Sequence, residues 1–400
     1  MARSEADLDE QAVNALRDYL RIPSVHPNVD YGPCEQWVRA QAASIGLPVR
    51  VARPAAPHKP VVIVTWAGAR PGLPAVLLNS HMDVVPVYQE KWTHPPFGAE
   101  RTEDGKIYAR GSQDMKSNAV QYLEAVRRLR LKGFQPQRTV HITFVPDEEI
   151  GGVDGMAAFV KTETFAELNV GFAMDEGMAW PGDEIVIFNG ERSNWKLEFI
   201  CRGNPGHGSM LMDNPAAQRV RVILDRLLDY RESEKARIKH PLMDQGKVTC
   251  VNVTMLQGGV QNNVVPPEIT IVADVRISPE KDHDEFVKMV QGWCDEAGDT
   301  ELRIVQRGEV EGVTELNQSN KWWLALKSAL ENANEKIIPI ICPGATDARF
   351  IRRLKIPAIG MCVLNNTPIL LHDHDEFIYE KVFLKGISLF EEIIRNLTAV

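Results

Sequence analysis

Residues 139–152, TVHITFVPDEEIGG, run a β-branched apolar stretch straight into three consecutive carboxylates, Asp147, Glu148 and Glu149, followed by two glycines. The apolar part, Thr139–Val145, reads as a buried strand. Three acids at the end of such a strand repel one another, and that crowding is costly unless a cation neutralises it. A solvated loop would also tolerate three acids, but a loop is not fed by a buried strand. The stretch therefore predicts an α/β sheet with a metal site at a strand end.

Working outward, the same arrangement recurs. Ala75–Leu78 is a second apolar run, and LLNSHMDVVP (77–86) carries it to Ser80, with His81 and Asp83 at its C-terminal edge. Ligands and catalytic groups of open α/β sheets collect at that edge. A His-x-Asp pair suits a metal site because the second imidazole nitrogen of a ligand needs a carboxylate or a carbonyl to orient it. Val170–Met174 is a third run, ending in Asp175 and Glu176 of FAMDEGMAW. In ARGSQDMKSN (109–118), Gly111 and Ser112 make a turn, Asp114 follows, and a helix starts at about Ser117. Asp114 alone would equally serve as a helix N-cap. Late in the chain LLHDHDEF (370–377) places His372 and His374 among acids. Carboxylate oxygens and imidazole nitrogens suit zinc, cobalt or manganese. So many ligands fit two metals, one bridging carboxylate and one unligated acid left as general base.

Between these runs the chain alternates strand and helix, with helices expected at Leu8–Leu20 and Asn118–Leu131 and a further strand at Val61–Val64. Past residue 190 the order changes to strand Trp195–Cys201, helix Ala216–Tyr230, strands Val248–Leu256 and Glu268–Ile277, helix Asp282–Glu296 and strand Glu301–Val305. That βαββαβ order predicts a ferredoxin-like α+β domain. After residue 312 the first pattern resumes, with helices near Lys321–Glu331 and Phe377–Leu397. The expected fold is α/β, a mixed, largely parallel sheet flanked by helices. A discontinuous metal-binding domain (1–190 and 313–400) carries an inserted ferredoxin-like domain (191–312).

Bulk properties agree with a globular enzyme. The chain has 400 residues, which favours two domains, and a net charge of −9 without a basic run, which argues against a nucleic-acid partner. No stretch approaches the roughly 18 apolar residues of a membrane span, and MARSEADLDE lacks the apolar core of a signal peptide. Six scattered cysteines without a CxxC pair read as reduced thiols, so a cytoplasmic protein is expected.

Taken in order, HMDVVP, GSQDMK, PDEEIGG, DEG, PGHGS and the His372-x-x-x-Glu376 spacing resemble the dizinc peptidase and amidohydrolase family, over essentially the whole chain. RIPSVHPNVDY, FNGERSNWKL, PGATDARFIR and NNTPILLHDHDE resemble its branch that hydrolyses N-acyl-L-amino acids. The resemblance implies that His81, Asp114 and Glu176 bind one zinc, and that Asp114 bridges to a second held by Glu149 and His372. It implies that Asp83 orients His81, that Glu148 is the base, and that His372 rather than His374 is the ligand. It further implies a homodimer formed through the inserted lid domain, with His207 of PGHGS stabilising the oxyanion in the partner's site. Asn263, Arg276 and Arg349 become candidates for the substrate carboxylate or oxyanion, since a guanidinium fork donates two hydrogen bonds to a carboxylate. Arg276 and Arg349 are equally readable as ion-pair residues. Cobalt or manganese would fit the same ligands. A dipeptidase or other deacylase, and a catalytically dead binding protein, are the alternatives.

Overall fold

A computed structural model describes residues 4–400. The chain divides into two compact units. The first runs to Asn189 and returns over Thr314–Pro339 and Thr346–Val400; the second comprises Gly190–Val313 and Ile340–Ala345.

The first unit is built on an eight-stranded sheet in the order Val49–Ala52, Val61–Trp66, Val140–Val145, Ala75–His81, Val170–Asp175, Ala358–Met361, Glu184–Glu191, Lys336–Cys342. The four central strands, Val140–Val145 to Ala358–Met361, are mutually parallel, and the outer pairings described are antiparallel. Every residue of Ala75–His81 and Val140–Val145 is buried, as expected for parallel strands covered on both faces. The helices Glu5–Leu20, Lys116–Leu131, Lys321–Asn332 and Glu380–Ala399 contribute to the main apolar core. Ser4 opens the first helix with a capping box, its hydroxyl accepting from Asp7 N while the Asp7 carboxylate accepts from Ser4 N. That helix ends at Leu20, three residues before Pro23.

Two sequence readings need correction. The expected helix over Phe377–Leu397 is a strand, Phe377–Tyr379, paired with Lys106–Tyr108, followed by the helix Glu380–Ala399. Phe-Ile-Tyr is strand-prone, but three residues joined to an apolar helix show no separate period. Asp114 does not cap the helix behind it: the N-cap is Met115, which makes no side-chain capping bond.

The second unit is a four-stranded antiparallel sheet in the order Cys250–Gly258, Glu268–Ile277, Ser193–Arg202, Thr300–Gln306. The helices Ala216–Ala236 and His283–Ala297 pack against it. Its strand order places the first and third strands in the middle, as in a ferredoxin-like sandwich. Residues 340–345 join this unit because the backbone at Gly246 lies against them; a Cβ there would sit 1.9 Å from Ile341 O. Arg192 Nη2 also donates to Pro343 O at 2.7 Å.

Candidate metal centre

Parallel packing explains why the acids meet. Val140–Val145 and Val170–Asp175 both flank Ala75–His81, so the C-terminal ends of three strands face one edge of the sheet. His81 closes the middle strand, Glu148 and Glu149 form a short 3₁₀ turn after one neighbour, and Glu176 follows the other. The turn at Gly111–Met115 brings Asp114 to the same edge.

The Asp114 carboxylate lies between two imidazoles. Its Oδ1 is 2.9 Å from His81 Nε2 and its Oδ2 is 3.1 Å from His372 Nε2. His372 Nε2 is also 3.1 Å from Glu149 Oε2, and His81 Nε2 is 3.6 Å from Glu176 Oε2. Side-chain donor atoms of His81, Asp114 and Glu149 all lie within 4.8 Å of one another, as do those of His81, Glu148 and Glu176. All five ligands expected from the sequence are thus in one connected cluster. His374 stays outside it, its ring 6.2 Å from that of Tyr88.

The electrostatics of the cluster call for cations. Burial, reinforced by the neighbouring Asp114 charge, pushes the Glu176 and Glu149 carboxyls up. Burial and then the Glu176 charge do the same to Glu148. Burial would also raise Asp114, but its hydrogen bonds with His372 and His81 hold it well below the usual range. Those pairs drive His372 to about 10, through Asp114 first and Glu149 second. Burial would lower His81, yet pairing with Asp114 and Glu176 raises it. Buried acids and imidazoles here share protons that metal ions would displace. Glu149 Oε1 is buried without a hydrogen-bond partner, and a donor set of imidazole and carboxylate suits zinc. The residues present therefore fit divalent ions.

The three consecutive acids have separate fates. Asp147 takes a left-handed conformation, φ 63°, and is neutralised by protein groups: Lys59 Nζ lies 2.5 Å from Oδ2 and the Tyr31 hydroxyl donates to Oδ1 at 2.7 Å. Lys59 is a cation that sequence spacing did not reveal. Glu149 faces His372. The Glu148 carboxylate makes no side-chain hydrogen bond or ion pair among the described residues.

Asp83 acts differently from its expected role. It is the backbone carbonyl of Asp83, at 2.9 Å, that meets His81 Nδ1; the carboxylate Oδ1 is 3.7 Å away. The carboxylate instead accepts from the amides of Glu148 at 3.2 Å and Glu149 at 3.0 Å, and from His26 Nε2 at 2.9 Å. Glu376 serves the opposite loop. Fully buried, it accepts from Arg110 Nη1 at 2.7 Å and from the amides of Gly111 at 3.2 Å and Gln113 at 2.6 Å, fixing the turn that presents Asp114.

The chain matches the model of peptidase family M20/M25/M40 over residues 77–396. It belongs to this family. It is 42% identical over 401 residues to aminoacylase-1 of Sus scrofa, covering 100% of this chain and 98% of that protein. Identity to aminoacylase-1 of Dictyostelium discoideum is 38% over 402 residues, 97% and 98% of the two chains. The Bacillus subtilis YXEP protein, described as a dinuclear metal binding peptidase of the M20 family, shares the fold at a TM-score of 0.70 with 16% identity, over 98% of each chain.

The remaining candidates of this M20 family chain are engaged within their own unit. His207, in the second unit, is exposed on a two-residue strand paired with Val264–Val265. Its Nδ1 accepts from Ser209 N at 3.2 Å, which leaves Nε2 to carry the ring N–H. Asn263 O accepts from Gly208 N at 2.8 Å on the same loop pair. Arg276 Nε donates to Asp274 Oδ1 at 2.8 Å. Arg349, in the first unit, donates from Nη1 to Thr346 O and from Nη2 to Gly151 O, both at 2.9 Å. Asp347, two residues earlier, has no local sequence signal that marks it. It is fully buried with neither carboxylate oxygen hydrogen-bonded, and its Oδ1 would lie 2.6 Å from a Cβ at Gly152. A side chain at residue 152 would collide with it, and φ +65° there independently favours glycine.

Proposed function

We propose that this metal-dependent amidohydrolase cleaves N-acyl-L-amino acids to a carboxylate and a free amino acid, with two zinc ions held by His81, Asp114, Glu149, Glu176 and His372. The observation that carries the reading is the Asp114 carboxylate lying between two imidazoles, in a chain that matches aminoacylase-1 end to end. Bound there, the ions would supply Lewis acidity and lower the pKa of a water toward ~7.

The protein's own part is proton movement and charge placement. Glu148 is buried and makes no side-chain hydrogen bond or ion pair among the described residues, so it is suited to take the proton of the attacking water and return it to the departing amine nitrogen. Asp83 holds the Glu148 and Glu149 amides and, through its carbonyl, His81. The Nε2–H of the exposed His207 is suited to donate to the tetrahedral oxyanion, and Asn263, Arg276 or Arg349 to the substrate carboxylate.

A homodimer through the second unit accompanies this reading. Its support is the edge strand Cys250–Gly258, which leaves Met255 and Leu256 exposed. Sedimentation of the purified chain at micromolar concentration tests it. A cytoplasmic location suits six free cysteines, five of them buried. No described helix is long and apolar enough to cross a membrane.

The deciding experiment screens N-acetyl amino acids against dipeptides, before and after chelation and with zinc restored, alongside Glu148→Gln. N-acetylmethionine is expected to be cleaved in preference to dipeptides. The Gln variant should bind metal like the parent and lose about 10²–10⁴ in kcat. Wild-type turnover by that variant would remove Glu148 from the mechanism, and a preference for dipeptides would reassign the substrate.

A further inference from the structure

Asp83 is wholly buried, and its carboxylate accepts from the backbone amides of both Glu148 and Glu149. What holds that carboxylate in place comes from a segment 57 residues earlier. After the first helix, Ser24–His26 runs parallel to Met82–Val84. Val84 N donates to Ser24 O at 2.9 Å, His26 N donates to Val84 O at 3.2 Å, and the Ser24 hydroxyl donates to Met82 O at 2.6 Å. This ladder pins the His26 backbone beside Asp83. The imidazole, almost fully buried, then reaches Asp83 Oδ2 at 2.9 Å. Oδ2 is the same oxygen that receives the Glu149 amide, while Oδ1 receives the Glu148 amide.

We propose that His26 is a positioning residue for the general base: by donating to Asp83 Oδ2 it locks the Asp83 carboxylate in the rotamer that holds the Glu148–Glu149 turn against the metal cluster. This rests on the reading of Glu148 as base. Without His26, the Asp83 carboxylate keeps its two amide donors but loses the third, side-chain donor on Oδ2. It would be held less firmly beside the other acids. The imidazole touches none of the five ligands within hydrogen-bonding distance, so its effect passes through Asp83.

The test compares His26→Gln with His26→Met, side chains of similar length of which only Gln carries an N–H donor. Kinetics on N-acetylmethionine, metal content and thermal melting are measured for both in the zinc-loaded protein. His26→Met should lower kcat by 10-fold to 100-fold, the usual effect of losing a partner behind a metal ligand or base, with KM within about twofold. His26→Gln should stay within about threefold of the parent. The same substitutions in a Glu148→Gln background separate positioning from general damage: once the base is gone, His26→Met should lower the residual rate by less than about twofold. His26→Ala replaces His26→Met if the latter does not fold. Full kcat in His26→Met, equal losses in the Met and Gln variants at native metal content, or the same fold-loss in the Glu148→Gln background would each overturn the proposal. Wild-type activity of Glu148→Gln alone would instead overturn the base assignment, so the two failures are distinct.

Discussion

The two sheets of this protein present chemistry in opposite ways. In the first unit, parallel alignment sends Val140–Val145, Ala75–His81 and Val170–Asp175 out at one edge, and each leaves a carboxylate or imidazole there. In the second unit, antiparallel alignment sends successive strands out at opposite edges. Among the described residues, clusters with metal-ligand spacing arise in the first unit and not in the second. The second offers instead an exposed histidine on a loop pair and apolar residues on an edge strand. Strand direction, more than composition, decides where charge can be concentrated.

The largest effect that would test this contrast is metal removal. Chelation should abolish turnover and lower the melting transition of the first unit, because the buried acids lose their neutralising cations. Hydrogen exchange should show the Ser193–Arg202 and Glu268–Ile277 strands unaffected. Activity that survives exhaustive chelation would dissolve the distinction between the units. Next comes His207→Ala. If the second unit supplies an oxyanion donor, kcat should drop by about 10²–10³ with metal content unchanged. A change below threefold would reduce that unit to a scaffold.

Acid stability sharpens the contrast further. Burial depresses His141 on Val140–Val145 to about 4, whereas His283 in the second unit is lowered by burial and then by the nearby Arg307 charge. For His141 the unfolded chain takes up its proton near pH 6.5 and the folded chain only near 4. The stability is therefore complete above about 6.5 and falls as pH drops toward 4, by up to ~3 kcal/mol. Chemical denaturation at pH 7 and 4.5 should show the first unit losing more than the second, and His141→Gln should shrink that loss. The smallest expected effect is Glu376→Gln. It leaves Arg110 without its carboxylate and loosens the turn that presents Asp114. Metal affinity should fall by about 10–100-fold, read by chelator competition, with the second unit's strands unchanged.

Particular residues show how far the sequence could be read. The strand-end acids were legible because a buried strand leaves a local signature: consecutive apolar residues that stop at a polar one. His372 was preferred to His374 only through the family resemblance, whose pattern pairs it with Glu376, and Glu376 turns out to brace the Asp114 turn. Asp83 was legible as important but not in what it does. Its carboxylate reaches backbone amides more than 60 residues away, and backbone amides carry no sequence label. For the same reason Lys59, His26 and Asp347 passed unremarked; each is a common residue whose meaning depends on what the fold sets beside it.

By itself, then, the chain determined the alternation of strands and helices, the inserted βαββαβ segment and the acids and histidine that close the buried strands. These follow from apolar periodicity and from chemistry carried within a few residues. Tertiary structure alone decided that Asp114 lies between His81 and His372 rather than capping its helix, that Lys59 neutralises Asp147, and that Glu148 is left unpaired beside Glu149. Those outcomes depend on distances between segments far apart in sequence. Such distances are set by strand order and register, which no local pattern encodes.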